Sequence, residues 1–383
     1  RQVSKGGMAV VYEGRREAIA GVSARVAIKM MKPELASKEL HKNLFIQEAK
    51  NASSLMHRNI VHTQDFEEVD GMLMLIMEYV EGLTAREMMR QAHQNGLHIP
   101  PHVIAEIGRQ ICDGLHHAHC AADSRGRPMG LVHCDVKPGN IIINNQGAVK
   151  VLDFGVSKTL AEENKESVTR GTWGYMAPEQ IKGDNLVPRT DLFALAIVLY
   201  EMAASKQMFR SAEKKDFAKM KSLMDSDEPI KRVMKLGPSY KHLQEVLIRA
   251  LQRDPAARFS TATEMGQELG KLVSDPVIAQ QELVILLGKL QQAREKRRTG
   301  GFVSPIHERD QSNFSGVAFQ PRHRNMESNQ QKSLIALLAI PVVIVTLLFG
   351  LKQSCGGDAP DIQETQVGTL PSPVQEEPPA MEI

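Results

Sequence analysis

The sequence has few cysteines, no N-terminal signal peptide and no excess of charge of either sign. Its four cysteines, Cys112, Cys120, Cys134 and Cys355, are too few and too scattered for a disulfide framework in 383 residues. The bulk of the chain is therefore expected in a reducing, cytosolic compartment. The formal net charge is only +2, so no basic field argues for a nucleic-acid partner. Hydrophobic residues make up 42%, which excludes a fully disordered or collagen-like chain.

Short apolar runs dominate the first 80 residues, and helical periodicity dominates the next 200. The early runs predict strands at 10–12, 26–28 and 72–78, with one helix at 40–55 between them. Apolar residues at three-to-four spacing then predict helices near 102–122, 190–204, 240–252 and 261–273, and 141–143 and 149–151 are strand-like exceptions. This segregation predicts an α+β fold with a small sheet lobe and a larger helical lobe.

The strongest chemical motif is His133-Cys134-Asp135-Val136-Lys137-Pro138-Gly139-Asn140, followed by an apolar strand and Asp153-Phe154-Gly155. Phosphoryl transfer needs a positioned base, a cation near the transferring group and oxygen ligands for Mg²⁺. Asp135 is the candidate that accepts the proton of the substrate hydroxyl, and Lys137 is the candidate cation. Asn140 and Asp153, which follows Asp135 by 18 residues, are the candidate metal ligands.

Together with Val26-Ala27-Ile28-Lys29 upstream and Ala177-Pro178-Glu179 downstream, this motif resembles the eukaryotic-like (Hanks-type) serine/threonine protein kinases, particularly the membrane-anchored bacterial ones. The resemblance implies a bilobal kinase domain over 1–272. Its N-lobe is 1–77, its hinge 78–82 and its C-lobe 83–272. The chain opens on Arg1 close to the glycine turn, so we expect the start of the first strand to be missing.

The resemblance also implies an ATP site. Ser4-Lys5-Gly6-Gly7-Met8-Ala9-Val10-Val11 corresponds to the glycine-rich phosphate loop, with Ser4 and Ala9 in place of two glycines. Lys29 would contact the phosphates and pair with Glu48. The implied nucleotide-binding residues are Lys5, Gly6, Gly7, Val11, Ala27, Lys29, Met77, Glu78, Val80, Asn140 and Asp153; Met77 would line the adenine pocket, and backbone groups of Glu78 and Val80 would bind the base.

The same resemblance implies structural or regulatory roles for further residues. Thr172, together with Lys137, favours Ser and Thr acceptors over Tyr. Glu179 is expected to pair with Arg258, and Asp191 to brace the catalytic loop. Cys134 replaces an Arg that many relatives use to bind a phosphorylated activation loop. We therefore expect activity to depend little on phosphorylation of that loop, so that replacing Thr159, Ser167 and Thr169 together by Ala should leave the catalytic rate nearly intact.

Beyond the kinase-like region the chain changes character. We expect an amphipathic basic helix at 273–299, a flexible linker at 300–332, a transmembrane helix at 333–351 and an acidic Pro-rich tail at 352–383. Residues 334–351 are 18 uncharged residues, about 27 Å of helix, which is long enough to span a bilayer; a buried core helix is the alternative. Nine Lys and Arg precede this run within 289–332, and only Lys352 comes after it, so the kinase-like domain is expected in the cytoplasm.

The sequence thus predicts a single-pass inner-membrane serine/threonine protein kinase that uses ATP and Mg²⁺ on cytoplasmic proteins. A pseudokinase scaffold and a membrane adaptor remain the alternatives. The basic residues before the span either bind anionic lipids or only set topology. Homodimerisation through 277–298 or the span is a hypothesis that no GxxxG motif supports. The cluster of Cys112, His116, His117, His119 and Cys120 suggests packing more than zinc.

Overall fold

A computed structural model describes residues 1–17, 23–154, 173–209 and 216–299, all within the compact unit Arg1–Pro305. The chain begins with strands β1 (Gln2–Lys5), β2 (Ala9–Glu17) and β3 (Ser23–Met31). Helices α1 (Pro33–Ala36) and α2 (Glu39–Ser53) come next, and then β4 (Thr63–Val69) and β5 (Met72–Glu78). The five strands form one antiparallel sheet in the order β1-β2-β3-β5-β4. β3 is therefore central, and α2 packs Phe45 and Ala49 into the core of this lobe.

A second, smaller sheet joins the two lobes. Its strands are β6 (Gly82–Thr84), β7 (Ile141–Asn144) and β8 (Val149–Val151), in the antiparallel order β6-β7-β8. Ile141 and Ile143 of β7 and Val149 and Val151 of β8 point into the helical core and are buried. The residues on either side of this hairpin are consequently held against the core of the larger lobe.

The larger lobe is helical and has its own core. Its helices are α3 (Ala85–Gln94), α4 (Pro101–His119), α5 (Pro178–Lys182), α6 (Pro188–Ala204), α7 (Phe217–Met224), α8 (Glu228–Val233), α9 (Lys241–Ala250), α10 (Ala262–Gly270) and α11 (Pro276–Thr299). Every residue of α6 from Thr190 to Ala203 is buried, as its apolar residues on all faces require. A reciprocal capping box between Thr84 and Glu87 starts α3.

The last helix of the described residues, α11, packs on this lobe. Its buried residues are Ala279, Leu283, Leu286, Leu287 and Leu290, and they belong to the same core cluster as α3 and α4. Asp275 caps the helix, since its Oδ1 accepts a hydrogen bond from Val277 N at 2.8 Å. The helix predicted near 277–298 is therefore part of the folded body.

The order of elements confirms the α+β prediction of strands first and helices second. Strand β4 was not predicted, because it is an edge strand in which exposed Gln64 and Glu68 interrupt the apolar pattern. Within the described residues, no helix is long and apolar enough to cross a bilayer. The predicted linker, span and tail at 300–332, 333–351 and 352–383 lie outside the described residues.

Candidate active site

Lys29 on β3 is held between two carboxylates. Its ammonium pairs with Glu48 on α2 and lies 2.9 Å from Asp153 Oδ1, just beyond β8. Burial alone would lower the pKa of Lys29, but Asp153 and Glu48 outweigh it and raise that pKa, so the ammonium stays charged. Burial would also raise the pKa of Asp153, and the Lys29 ammonium reverses this and lowers it. The site therefore keeps a fixed cation beside an ionised carboxylate.

Asp191 on α6 braces the loop that contains His133, Cys134 and Asp135. Its fully buried carboxylate accepts hydrogen bonds from His133 N at 2.8 Å and Cys134 N at 2.7 Å. His119 Nε2 on α4 lies 2.8 Å from the same carboxylate. These contacts hold Cys134 at a φ of 59°, in the left-handed region that L-residues rarely adopt. The predicted bracing role of Asp191 is confirmed.

The two carboxylate oxygens of Asp135 are in different states. Oδ2 accepts hydrogen bonds from Lys137 Nζ at 2.5 Å and from Asn140 Nδ2 at 3.0 Å. Oδ1 is buried and has no hydrogen-bond partner among the described residues. The Asp135 side chain as a whole is 31% exposed, so its carboxylate can accept a hydrogen bond from a substrate hydroxyl. Asp135, Lys137 and Asn140 are thus brought together as the motif spacing predicts.

Asn140 and Asp153 flank the β7–β8 hairpin. Leu152 N donates a hydrogen bond to Asn140 O at 2.9 Å, which ties the two ends of the hairpin together. The Asn140 amide nitrogen is committed to the backbone oxygen and Oδ2 of Asp135, both at 3.0 Å. Its amide oxygen is then the ligand atom available to a cation. An amide oxygen and an ionised carboxylate are the hard donors that Mg²⁺ prefers, so these residues fit the predicted metal.

Lys5 ends β1, and Gly6 and Gly7 lie in the loop between β1 and β2. Gly6 N donates a hydrogen bond to Ala9 O at 2.9 Å, and Lys32 Nζ donates to Gly7 O at 2.8 Å. Val11 lies opposite Lys29 in the β2–β3 register. The loop therefore leads into β2, the strand that pairs with β3 beside Lys29. A phosphate-binding loop is needed at this place.

Apolar side chains line the start of the hinge. Ala27 lies opposite Met77 in the β3–β5 register, and Met77 is buried. Ala27, Val80 and Leu152 pack, partly buried, against the same core cluster as Met77. The Glu78 carboxylate has a role that the sequence did not reveal: it accepts hydrogen bonds from Lys150 Nζ at 2.6 Å and His62 N at 2.8 Å. The hinge is therefore anchored to β8.

Residues 1–269 match the family model described as protein kinase domain. The chain belongs to the protein kinase family. This kinase is 31% identical over 278 residues to Tyrosine-protein kinase MasK from Myxococcus xanthus, an alignment that covers 72% of this chain and 42% of MasK. It is 34% identical over 253 residues to Serine/threonine-protein kinase PknB from Mycobacterium tuberculosis, covering 64% of this chain and 38% of PknB. The kinase thus spans about two fifths of the length of these curated relatives.

The solved structures give the same fold. The crystal structure of the PknI kinase domain from Mycobacterium tuberculosis aligns with a TM-score of 0.52 and 25% identity, covering 71% of this chain and 93% of that one. The predicted bilobal kinase fold is thereby confirmed.

A buried ion pair stabilises the larger lobe of this kinase. The Arg258 guanidinium, fully buried, donates bidentate hydrogen bonds to Glu179 at 2.7 and 2.8 Å. Thr190 Oγ1 donates to Glu179 Oε1 at 2.8 Å, so the carboxylate is well satisfied. The pairing predicted for Glu179 and Arg258 is confirmed.

Gln180 also helps to hold the catalytic loop, a role that the sequence analysis did not predict. Its Nε2 donates a hydrogen bond to Cys134 O at 2.9 Å, which links α5 to the catalytic loop. Its position directly after Ala177-Pro178-Glu179 was the available signal. Gly155, Thr159, Ser167, Thr169 and Thr172 lie outside the described residues.

In the Cys and His cluster on α4, His119 contacts Asp191, whereas Cys112 lies in the core and Cys120 is exposed. Cys112 is fully buried, and burial raises the pKa of its thiol. His117 stacks on His57 with ring centroids 5.0 Å apart. Across the described ranges no group of three His, Cys, Asp or Glu side chains is placed to hold a metal ion. His57, His117 and Cys120 instead line a cavity of about 550 Å³ that includes none of the predicted site residues.

Proposed function

We propose that this chain is a serine/threonine protein kinase that transfers the γ-phosphoryl group of ATP to hydroxyls of cytoplasmic proteins. The observation that carries the proposal is the Asp135 carboxylate, with Oδ2 fixed by Lys137 and Asn140 and buried Oδ1 unpartnered among the described residues. Such a group orients a hydroxyl and accepts its proton. The charged Lys29, paired with Glu48, supports the same reaction.

Each residue has a separate part in the proposed reaction. Asp135 accepts a hydrogen bond from the acceptor hydroxyl and takes its proton as the new P–O bond forms, while the bond between the γ-phosphorus and the β–γ bridging oxygen breaks and ADP leaves with that oxygen. The Lys137 ammonium, held beside Asp135, stabilises negative charge on the transferring group. Lys29 orients the phosphates, and Glu48 fixes Lys29. Asn140 and Asp153 would hold Mg²⁺, which when bound neutralises phosphate charge.

The class of acceptor residue needs a direct test, since one similar protein is called a tyrosine kinase and another a serine/threonine kinase. The full chain, incubated with Mg²⁺ and γ-labelled ATP and a generic protein acceptor, should place label on Ser and Thr. A Lys29→Met variant is the control and should incorporate none. Label mainly on Tyr would overturn the acceptor assignment.

The pseudokinase alternative rests on Cys134 and Ser4, which depart from the family pattern. In the same experiment it predicts ATP binding without label in the wild-type chain. The placement of Lys29, Glu48, Asp135, Lys137, Asn140 and Asp153 favours turnover. The adaptor alternative would be favoured instead by partner recruitment that persists in an inactive variant.

We also propose that a single transmembrane helix at 333–351 anchors the kinase in the inner membrane, with the kinase domain in the cytoplasm. The proposal rests on the 18 uncharged residues and on the excess of Lys and Arg before them. Deletion of 333–351 should move the chain from the membrane to the soluble fraction, whereas deletion of 358–383 should not. Equal fractionation of both deletions would contradict it. Lipid contacts of the basic segment and homodimerisation stay predictions.

A further inference from the structure

Helix α11 lies beyond the part of the chain that matches the protein kinase family, which ends at residue 269. It nevertheless packs on α3 and α4 through five buried residues. His102 on α4 adds a polar tether, since its Nε2 lies 2.7 Å from Glu282 Oε2. The helix is thus held against the larger lobe along much of its length.

Two exposed glutamines of α11 reach the turn of the β7–β8 hairpin. Gln280 Nε2 donates a hydrogen bond to Gln146 O at 2.8 Å. Gln291 Nε2 donates to Asn145 Oδ1, also at 2.8 Å. At Gly147, whose φ is 79°, an added Cβ would come within 3.0 Å of the Gln280 side chain. A side chain at position 147 would therefore crowd Gln280 and would be strained by the positive φ.

The same turn is bound to the hinge. Asn145 N donates a hydrogen bond to Glu81 O at 3.1 Å. Gly82 pairs with Asn144 across β6 and β7, and a Cβ on Gly82 would overlap with Ile143 O. Gln291 and the hinge are thus joined through a single residue, Asn145.

The hairpin itself ends at the two candidate metal ligands. Asn140 directly precedes β7, and Asp153 lies two residues beyond β8. β7 is four residues long, or about 13 Å of strand, and its first three residues, 141–143, pair with β8. A displacement of the turn is therefore transmitted to Asn140 and Asp153 by a short paired hairpin.

We propose that α11 is a positioning element of the nucleotide site, and that Gln280 and Gln291 are its positioning residues. Through the 145–147 turn they fix both the hinge at Glu81 and the hairpin that carries Asn140 and Asp153. The inference rests on the proposed function, because it assigns nucleotide and Mg²⁺ binding to those residues. By this inference, helix α11, which precedes 300–332, takes part in positioning the nucleotide site.

The test compares two double variants of the full chain. Gln280→Ala/Gln291→Ala removes both contacts with the turn. Gln281→Ala/Gln292→Ala is the matched control, because these are the neighbouring exposed glutamines of the same helix, and the hydrogen bonds between α11 and the turn within the described residues come from Gln280 and Gln291. Calorimetry gives the Kd of each chain for Mg²⁺ with a non-hydrolysable ATP analogue, and the Tm of each reports folding. A role in overall stability alone would lower Tm without a specific loss of affinity.

We expect the Gln280→Ala/Gln291→Ala variant to bind the nucleotide about threefold to tenfold more weakly, as loss of two solvent-exposed hydrogen bonds implies, with the control at the wild-type Kd. By linkage, the nucleotide should slow amide hydrogen exchange of 276–295 in the wild-type chain. Equal Kd values in all three chains, or unchanged exchange, would overturn the inference. Binding without phosphoryl transfer would overturn only the proposed turnover, whereas a wild-type chain that binds no nucleotide would overturn both.

Discussion

Cys134 adopts a strained backbone conformation because contacts with neighbouring residues hold it there. Asp191 binds its N–H, Gln180 binds its carbonyl, and its thiol is buried, with Sγ 3.6 Å from Val132 O. A residue in the left-handed region is stable only where such contacts outweigh the strain. The backbone conformation of Cys134 therefore determines the shape of the catalytic loop. A thiol there provides no cation for a phosphorylated activation loop.

At this residue scale we predict that phosphorylation of the activation segment has little influence on catalysis. Replacing Thr159, Ser167 and Thr169 together by Ala should leave kcat/KM within about threefold of the wild-type value. The measurement is a steady-state assay of both chains on one acceptor protein. A loss of about a hundredfold would contradict the prediction, and would mean that a cation other than residue 134 binds the phosphorylated segment.

Strands β6 and β7 can pair because position 82 is a glycine and has no side chain. At Gly82 a Cβ would overlap with Ile143 O and lie 2.7 Å from Asn144 Cα. Both are backbone atoms, which cannot move aside as a side-chain tip can. Only glycine therefore permits the hinge to approach the hairpin this closely.

Gly82→Ala should accordingly lower the free energy of unfolding by about 2 to 3 kcal/mol through overpacking. Gly237→Ala is the matched control, since no heavy atom lies within 4 Å of a Cβ there and its φ is −66°. Thermal unfolding of both variants and the wild-type chain measures the difference. A Gly82→Ala variant as stable as Gly237→Ala would show that β6 separates from β7 without loss.

The loop after α2 packs on α4 through two stacked histidines. His57 Nδ1 accepts a hydrogen bond from Asn59 N at 3.1 Å, and the His57 ring stacks on His117. Partial burial and the neighbouring His117 lower the pKa of His57 from its ordinary value of 6.5; Arg58 and Lys150 act in the same direction, and Asp113 opposes them. Protonation at Nδ1 would also remove the acceptor of the Asn59 hydrogen bond.

Stability should therefore fall as the medium is acidified below about pH 6.5. Between that pH and the lowered folded-state pKa of His57, the unfolded chain binds a proton that the folded chain does not, so lowering the pH favours unfolding. A His57→Gln variant should lose less Tm between pH 7.5 and pH 5.5 than the wild-type chain. His98→Gln, a change at an exposed histidine, should lose as much as the wild type. Equal losses in all three would contradict the prediction.

The elements differ in how far the sequence predicts them. The buried helix α6 and strand β5 are evident from their apolar residues, whereas edge strand β4 is not, because exposed Gln64 and Glu68 interrupt its apolar pattern. The motif from His133 to Asn140 predicts the catalytic loop, since its members are close in sequence. The Glu78 to Lys150 contact and the α11 contacts with the turn join residues 72 and more than 130 positions apart. No local pattern encodes such contacts, so only the folded chain reveals them.

At the scale of the whole molecule, the charged side chains of the candidate active site come from both lobes. Lys29 and Glu48 belong to the sheet lobe, Asp135 to the helical lobe, and Asp153 comes after the hairpin that lies between them. Because Lys29 contacts both Glu48 and Asp153, its position depends on the closure of the two lobes. The residues proposed to orient the phosphates, Lys29 and Glu48, therefore belong to a different lobe from Asp135, whose proposed task is the chemical step.

The most direct test of this account is an Asp135→Asn variant, measured for both nucleotide affinity and turnover. The amide is nearly isosteric but is a poor proton acceptor, so we predict a Kd for Mg²⁺ and ATP within about twofold of wild type. The rate of phosphoryl transfer should fall by about a hundredfold or more. Undiminished transfer in Asp135→Asn, with the wild-type chain active on the same acceptor, would contradict the central claim that Asp135 positions the attacking hydroxyl and accepts its proton.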